Sequence, residues 1–260
     1  MIVNLYKHRG YIWRTAWAEL RTKYAGSSAG VLWNVLQPLS QIAVYSIIFT
    51  NIIGHAAMKD VPGGYTIYLC SLLIPWMAFS ECINRGTMSF VSHAQYLVKL
   101  PIPEQVFMAQ TVLASGMTLA ISYTVFLIAA VLMGQPATWH WLLLPLPLGF
   151  MLAYAFGVSL LLGTVNAFIR DTATVATVLI QIGFWSYPII YKAETLPGWL
   201  QTLLPWNPLY PSFTATRDLV LYATLPTPAL WAQMVGWAAL ACAAGYLTLR
   251  RLRPELRDVL

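Results

Sequence analysis

The sequence predicts an all-α membrane protein: six transmembrane helices, an amphipathic helix ahead of them, a cytoplasmic helix between spans two and three, and two short re-entrant helices before the last span. Three observations carry this. Hydrophobic residues make up 58% of the 260-residue chain and charged residues only 9%, whereas folded soluble domains carry about a quarter charged residues. Six apolar runs reach the roughly 20 residues that a helix needs to cross about 30 Å of hydrocarbon. The lysines and arginines gather at the ends of those runs, as membrane orientation requires.

Residues 1–30 read as a cytoplasmic N-terminus. Between Tyr11 and Tyr24, Trp13, Trp17, Leu20 and Tyr24 recur at helical spacing, with Thr15, Glu19 and Thr22 expected to point away. Arg14, Arg21 and Lys23 border that stripe, where long cationic side chains bury their stems and reach anionic headgroups. The helix is expected to lie in the membrane interface. Five basic residues and no continuous apolar core in this stretch argue against a cleavable signal. The small residues 25–30 then turn the chain into the first span.

The six spans, all within residues 31–249, are expected at 31–53, 65–83, 105–133, 141–168, 173–190 and 229–249. With both termini in the cytoplasm, twelve of the fifteen Lys and Arg fall inside, including those of a basic tail at 250–260. The opposite orientation leaves only Lys59, Lys192 and Arg217 inside, so the positive-inside rule selects the first. A pI near 9.3 is then an orientation signal and not a nucleic-acid footprint.

Span one holds Pro38, which removes a backbone donor, and a stripe of Trp33, Gln37, Gln41, Tyr45 and Phe49 at every fourth residue. Amides in hydrocarbon need a partner helix or water. They either bond across a helix interface or line a path. Span two ends in Glu81, four residues before Arg85, a spacing that allows the two to pair. A short helix from about Thr87 is expected to stop ahead of Pro101. Span four carries Gly149, Ala153, Gly157, Ser159 and Gly163, a small-residue series suited to close helix packing. Asp171 in the next turn is placed to cap span five. That span presents Thr177, Gln181 and Trp185 on one face.

Residues 191–228 are too apolar for an ordinary outside loop, and Pro197, Pro205, Pro208 and Pro211 cut them into two short helical pieces, about 198–204 and 212–222. These pieces, carrying Trp199, Trp206, Tyr210, Phe213 and Arg217, either dip into the outer half of the bilayer as a gate or lie flat on its surface.

No lysine follows a glycine, so the chain has no Walker-type phosphate loop. The spans lack clustered acids, bases or histidines at mid-depth, which disfavours proton coupling. Cys70, Cys82 and Cys242 have neither disulfide nor metal spacing, and the four histidines are scattered, which disfavours a membrane enzyme.

Four stretches in order carry a resemblance: WAELRTKYAGSSAGVLWNVLQPL (Trp17–Leu39), LVKLPIPE (Leu97–Glu104), FIRDTA (Phe168–Ala173) and LPGWLQTLLPWNPLYPSFTATRDLVL (Leu196–Leu221). Together they resemble the membrane permease subunit of type 2 ABC exporters for polysaccharides, most of all the O-antigen export group, with teichoic acid and capsule permeases as relatives. The resemblance implies a homodimer in the inner membrane, two separate ATPase subunits that hold ATP and magnesium, no cofactor in this chain, and a polyprenyl-pyrophosphate-linked polysaccharide as cargo. It implies a coupling helix over 85–98, with Arg85, His93, Tyr96 and Lys99 toward the ATPase, and an outer gate over 198–222. Arg14, Arg21 and Lys23 would then meet membrane lipid or the carrier pyrophosphate. The span-one and span-five stripes would line the glycan path, since sugar C–H faces stack on aromatic rings and hydroxyls bond amides. A transferase acting on lipid-linked glycans is the alternative from another class; it requires a polar catalytic cluster that the sequence does not contain.

Overall fold

The computed structural model describes residues 1–23, 27, 30–52, 64–99 and 101–259, apart from the side chains of residues 2, 31, 46, 49–52, 98 and 257–259. Tyr24 and the Phe49 side chain therefore lie outside the described residues. The helices are α1 (Ile2–Lys7), α2 (Arg9–Thr22), α3 (Trp33–Ile52), α4 (Gly64–Ser92), α5 (Ala94–Lys99), α6 (Glu104–Leu132), α7 (Pro145–Phe168), α8 (Thr172–Ser186), α9 (Gly198–Leu203), α10 (Tyr210–Arg217) and α11 (Pro228–Val259). A short 3₁₀ turn, Trp139–Leu143, leads into α7, and α10 continues as a π-helix over Asp218–Tyr222. No strand occurs among the described residues.

Among the described residues, four helical stretches are long and apolar enough to cross a membrane: Gly64–Ser92, Glu104–Leu132, Trp139–Phe168 and Pro228–Leu256. Each runs 29 or 30 residues, about 44 Å at 1.5 Å per residue, against a hydrocarbon core near 30 Å. They must project from it. This explains two departures from the sequence reading. The expected helix starting at Arg85 is instead the unbroken end of α4, because leaving hydrocarbon does not oblige a helix to stop; the break comes at His93, and only residues 94–99 form a separate helix. The residues expected as a basic tail are likewise helical, continuing α11 to Val259 with Pro254 inside it. α3 spans 20 residues and α8 only 15.

α7 is the central strut, packed along α11 on one side and α4 on the other. A Cβ added at Gly157 would strike the backbone of Ala241 and Cys242, and one at Gly245 would strike the Gly157 carbonyl. On the other side, a Cβ on Gly163 would sit 2.9 Å from the Gly86 carbonyl, and Ser159 fills the space that Gly86 leaves. The small residues of span four thus set helix separations, except Gly149, which faces open space. The next turn is capped by Asn166, whose Oδ1 accepts the Ala173 N–H at 3.2 Å, and not by Asp171, whose side chain makes no cap bond.

The core falls into two clusters. The larger gathers Trp76, Phe79, Tyr123, Phe126 and Phe213 in the membrane region, and the smaller gathers Phe90, Leu97, Phe107, Met108, Leu249 and Leu256 at the Arg85 end. At that end Glu104, wholly buried, pairs with Arg253 of α11 at 3.0 Å, so the basic end of the chain is clamped to the start of α6. α10 is packed inside the bundle against α4, α7 and α11, with Phe213 and Ala215, and Leu219 of the π-helix, fully buried.

Candidate functional site

The Arg85 end holds the densest charge cluster. α2 lies along α6 by a face of Ile12, Ala16 and Leu20, all buried, where Ala16 permits close approach. Trp13 and Trp17 turn outward, 56% and 48% exposed. Both faces satisfy helical spacing, and the ring-bearing face is the one left exposed. Glu19 does not point away as the wheel suggested. It forms an ion pair with Arg85 of α4, and Arg85 also bonds Glu81 at 3.3 Å. Lys23 reaches the same Glu81 carboxylate at 3.1 Å. Charges of alternating sign, Glu19, Arg85, Glu81 and Lys23, thus tie α2 and the residue after it to the end of α4. The sequence anticipated the Glu81–Arg85 pair but not its partners on α2, which lie about sixty residues away.

This cluster opens onto the α3 stripe. Lys23, Glu81, Asn34, Gln37 and Gln41 share a narrow crevice of about 70 Å³ with Thr118 and Ser122 of α6. Asn34, nearly fully buried, was missed by the sequence reading because it sits one residue off the four-residue repeat. Trp33 is exposed and donates Nε1–H to Ser27 Oγ at 2.9 Å; Tyr45 is half-buried against the core.

The α8 stripe is on the other flank of α4. Thr177 donates to Asn84 Oδ1 at 3.2 Å, while Gln181 and Trp185 are exposed, and Ala176 alone of this helix is buried. α4 packs with both α3 and α8, so within one chain the two stripes stand on either side of α4 and form no common wall.

Beyond the break, His93 Nδ1 lies 2.8 Å from the Ser89 carbonyl, and its ring packs on buried Phe107 at 5.4 Å. Phe107 also meets Tyr11 of α2 at 6.4 Å. Burial, and then the neighbouring Tyr96, pushes the Tyr11 phenol above its usual range. Tyr96 and Lys99 are exposed on α5. Arg85 is thus committed to α2, whereas Tyr96 and Lys99 present a free surface. Arg14 and Arg21 are exposed and make no ion pair among the described residues.

At the opposite end of the bundle, marked by Tyr65, the predicted gate residues divide. Trp199 and Trp206 are exposed, the latter beside Trp185 on an apolar cavity of about 570 Å³ between α4, α7, α8 and α9. Tyr210 is half-buried, and Phe213 wedges against Tyr187 at 4.9 Å and Trp76 at 6.3 Å. Arg217 lies 3.9 Å over the Tyr68 ring and donates Nη2–H to the Pro188 carbonyl at 3.0 Å. Gln135, another residue missed by sequence, donates Nε2–H to the Val220 carbonyl at 3.0 Å and supports the π-helix, whose ladder leaves acceptors out of register. Its only sequence signal is an amide between Gly134 and Pro136. Among the described residues no three His, Cys, Asp or Glu side chains gather to hold a metal ion.

Comparison with known proteins matches residues 11–221 to the ABC-2 type transporter family. An O-antigen export system permease protein, RfbA, of Klebsiella pneumoniae is 27% identical over 80% of this chain and 78% of its own length. The Myxococcus xanthus protein of that name is 25% identical over 87% of this chain and 86% of its own. The polysialic acid transport protein KpsM of Escherichia coli is 22% identical over 78% of each. With four helices among the described residues apolar and long enough to cross a membrane, and a family match over most of its length, the chain belongs to the ABC-2 type transporter family.

Proposed function

We propose that this chain is the membrane permease subunit of an ATP-driven exporter, which moves a lipid-linked polysaccharide of the O-antigen class from the cytoplasmic to the outer face of the inner membrane. The observation that carries this is the similarity, over about 80% of the chain, to proteins named as O-antigen export permeases. Polysaccharide of the capsular class is the second reading, favoured by the weaker similarity to the polysialic acid transport protein. A chain without a phosphate loop must draw its energy from another subunit, so two ATPase subunits carrying ATP and magnesium complete the assembly.

In this reading α3 and α8 complete six crossings, with both termini and the Arg85 end in the cytoplasm by the distribution of Lys and Arg. Two copies face each other, and the α3 and α8 stripes, which do not meet within one chain, meet across the pair to line the glycan path. The ATPase docks on α5 through Tyr96 and Lys99. Arg85 acts one step behind, holding α2 to α4 so that movement of α5 is passed to the interface helix. Arg14 and Arg21 remain to attract anionic lipid or the carrier pyrophosphate. The segment from Trp199 to Arg217 closes the outer mouth.

The test is deletion of this chain in its own cell. Lipid-linked glycan should accumulate on the cytoplasmic face and reappear outside on complementation, but not when the partner ATPase carries an inactivated nucleotide site. Glycan reaching the surface normally in the deletion strain would exclude the reading.

A further inference from the structure

The gate end contains a second cavity of about 310 Å³, bounded by α4, by residues 187–194 and by the α10–π-helix segment. Its wall includes Tyr68, Tyr187, Tyr222, Arg217, Glu194 and Asp218. Nothing in the export reading requires these groups to face an open space.

The arginine is the informative member. Its guanidinium is anchored on the Tyr68 ring and the Pro188 carbonyl, and no carboxylate among the described residues lies within ion-pair distance, so its charge is held at the cavity wall without a counter-ion. Asp218 beside it is half-buried and accepts no side-chain hydrogen bond among the described residues. It opens the π-helix, an element concentrated at functional sites. That helix is closed by Ala223 in the left-handed conformation, with φ 49°, a backbone state that non-glycine residues hold only when their surroundings impose it.

The lining also selects a ligand class. Two cations, Lys192 and Arg217, are matched by two carboxylates, Glu194 and Asp218. An anion entering here would gain two attractions and meet two repulsions. A neutral polyol would accept from the cations and donate to the carboxylates, while its C–H face lies against the tyrosine rings. The volume is at the lower end of small-molecule sites, the size of a sugar ring and not of a long segment.

We propose that this cavity is a binding subsite for a single neutral hexose unit, placed behind the gate so that the emerging end of a glycan is held on the outer side. Only the delivery of the sugar rests on the export reading; binding itself is independent of it. The experiment uses the full chain in lipid nanodiscs and saturation-transfer NMR with the methyl glycosides of glucose, galactose and mannose, with methyl glucuronide and inorganic phosphate as competitors. At least one neutral glycoside should saturate. Its dissociation constant should rise tenfold or more in Asp218→Asn and in Tyr222→Ala, with thermal midpoints unchanged, and the anions should not compete. No saturation, wild-type affinity in both variants, or displacement by phosphate or glucuronide would overturn the subsite. The two readings part cleanly: glycan export by the wild type without any hexoside binding refutes the subsite alone, and hexoside binding without ATP-driven export refutes the export reading alone.

Discussion

Gly157 offers the sharpest structural perturbation. A methyl group there would overlap the backbone of Ala241 and Cys242 in α11, and backbone, unlike a side-chain tip, has no rotamer to move aside. Overpacking a filled core costs roughly 1–3 kcal/mol, and the immovable obstacle places Gly157→Ala at about 3. Alanine in place of glycine returns up to about 1 kcal/mol of helix propensity, leaving a net loss near 2 kcal/mol. Gly149→Ala is the internal control: same helix, same substitution, open space within 4 Å. It should gain the propensity term alone. The two variants should therefore differ by about 3 kcal/mol, on the order of a hundredfold in the unfolding equilibrium, measured by denaturant titration in mixed micelles. Gly245 opposes Gly157 at the same crossing, so the double variant should lose less than the sum of the singles, one separation of α7 from α11 relieving both. Equal stability of Gly157→Ala and Gly149→Ala would refute the packing argument.

Three further predictions concern function. A double-mutant cycle of Glu19→Gln and Arg85→Gln should give a coupling of about 1 kcal/mol, the size expected for ion pairs about a third exposed, and each single variant should loosen ATP hydrolysis from transport; additive effects would separate α2 from α4. Lys99→Glu with Tyr96→Ala should reduce co-purification of the ATPase several-fold while the thermal midpoint holds, and unchanged co-purification would remove α5 as the docking element. Replacing Gln41, Tyr45 and Trp185 together by leucine should slow glycan passage at least tenfold without loss of ATPase binding; undiminished passage would return those stripes to helix packing.

The elements whose signals are local were legible in the sequence. The ends of α6 follow from an apolar run between Pro103 and Gly134, and the division of residues 191–228 follows from their prolines, each of which removes a backbone donor. The small-residue series of α7 likewise announced close packing before its partners were known. What could not be read depended on partners distant in the chain. Two faces of α2 have equal helical spacing, and only the position of α6 and Arg85 decides that Ile12, Ala16 and Leu20 turn inward while Glu19 is drawn to α4. Asp171 and Asn166 are both competent caps by residue type, and the geometry of the turn selects Asn166. The run of α4 past Arg85 was hidden because polarity marks where hydrocarbon ends, not where a helix ends. Around α10, Phe213 and Arg217 were singled out by residue type, but Tyr187 and Tyr68, which receive them, and Gln135, which supports the π-helix, come from three other segments.

The central claim is that this chain supplies the path and a separate ATPase supplies the energy. The direct measurement is uptake of lipid-linked glycan into sealed inverted vesicles that contain the purified chain, its ATPase, both or neither, scored by protection of the glycan from an added glycosidase. Protection that rises with ATP only when both subunits are present, and disappears when the ATPase nucleotide site is inactivated, is the predicted result. Equal protection with this chain alone, or with ATP hydrolysis abolished, would contradict it.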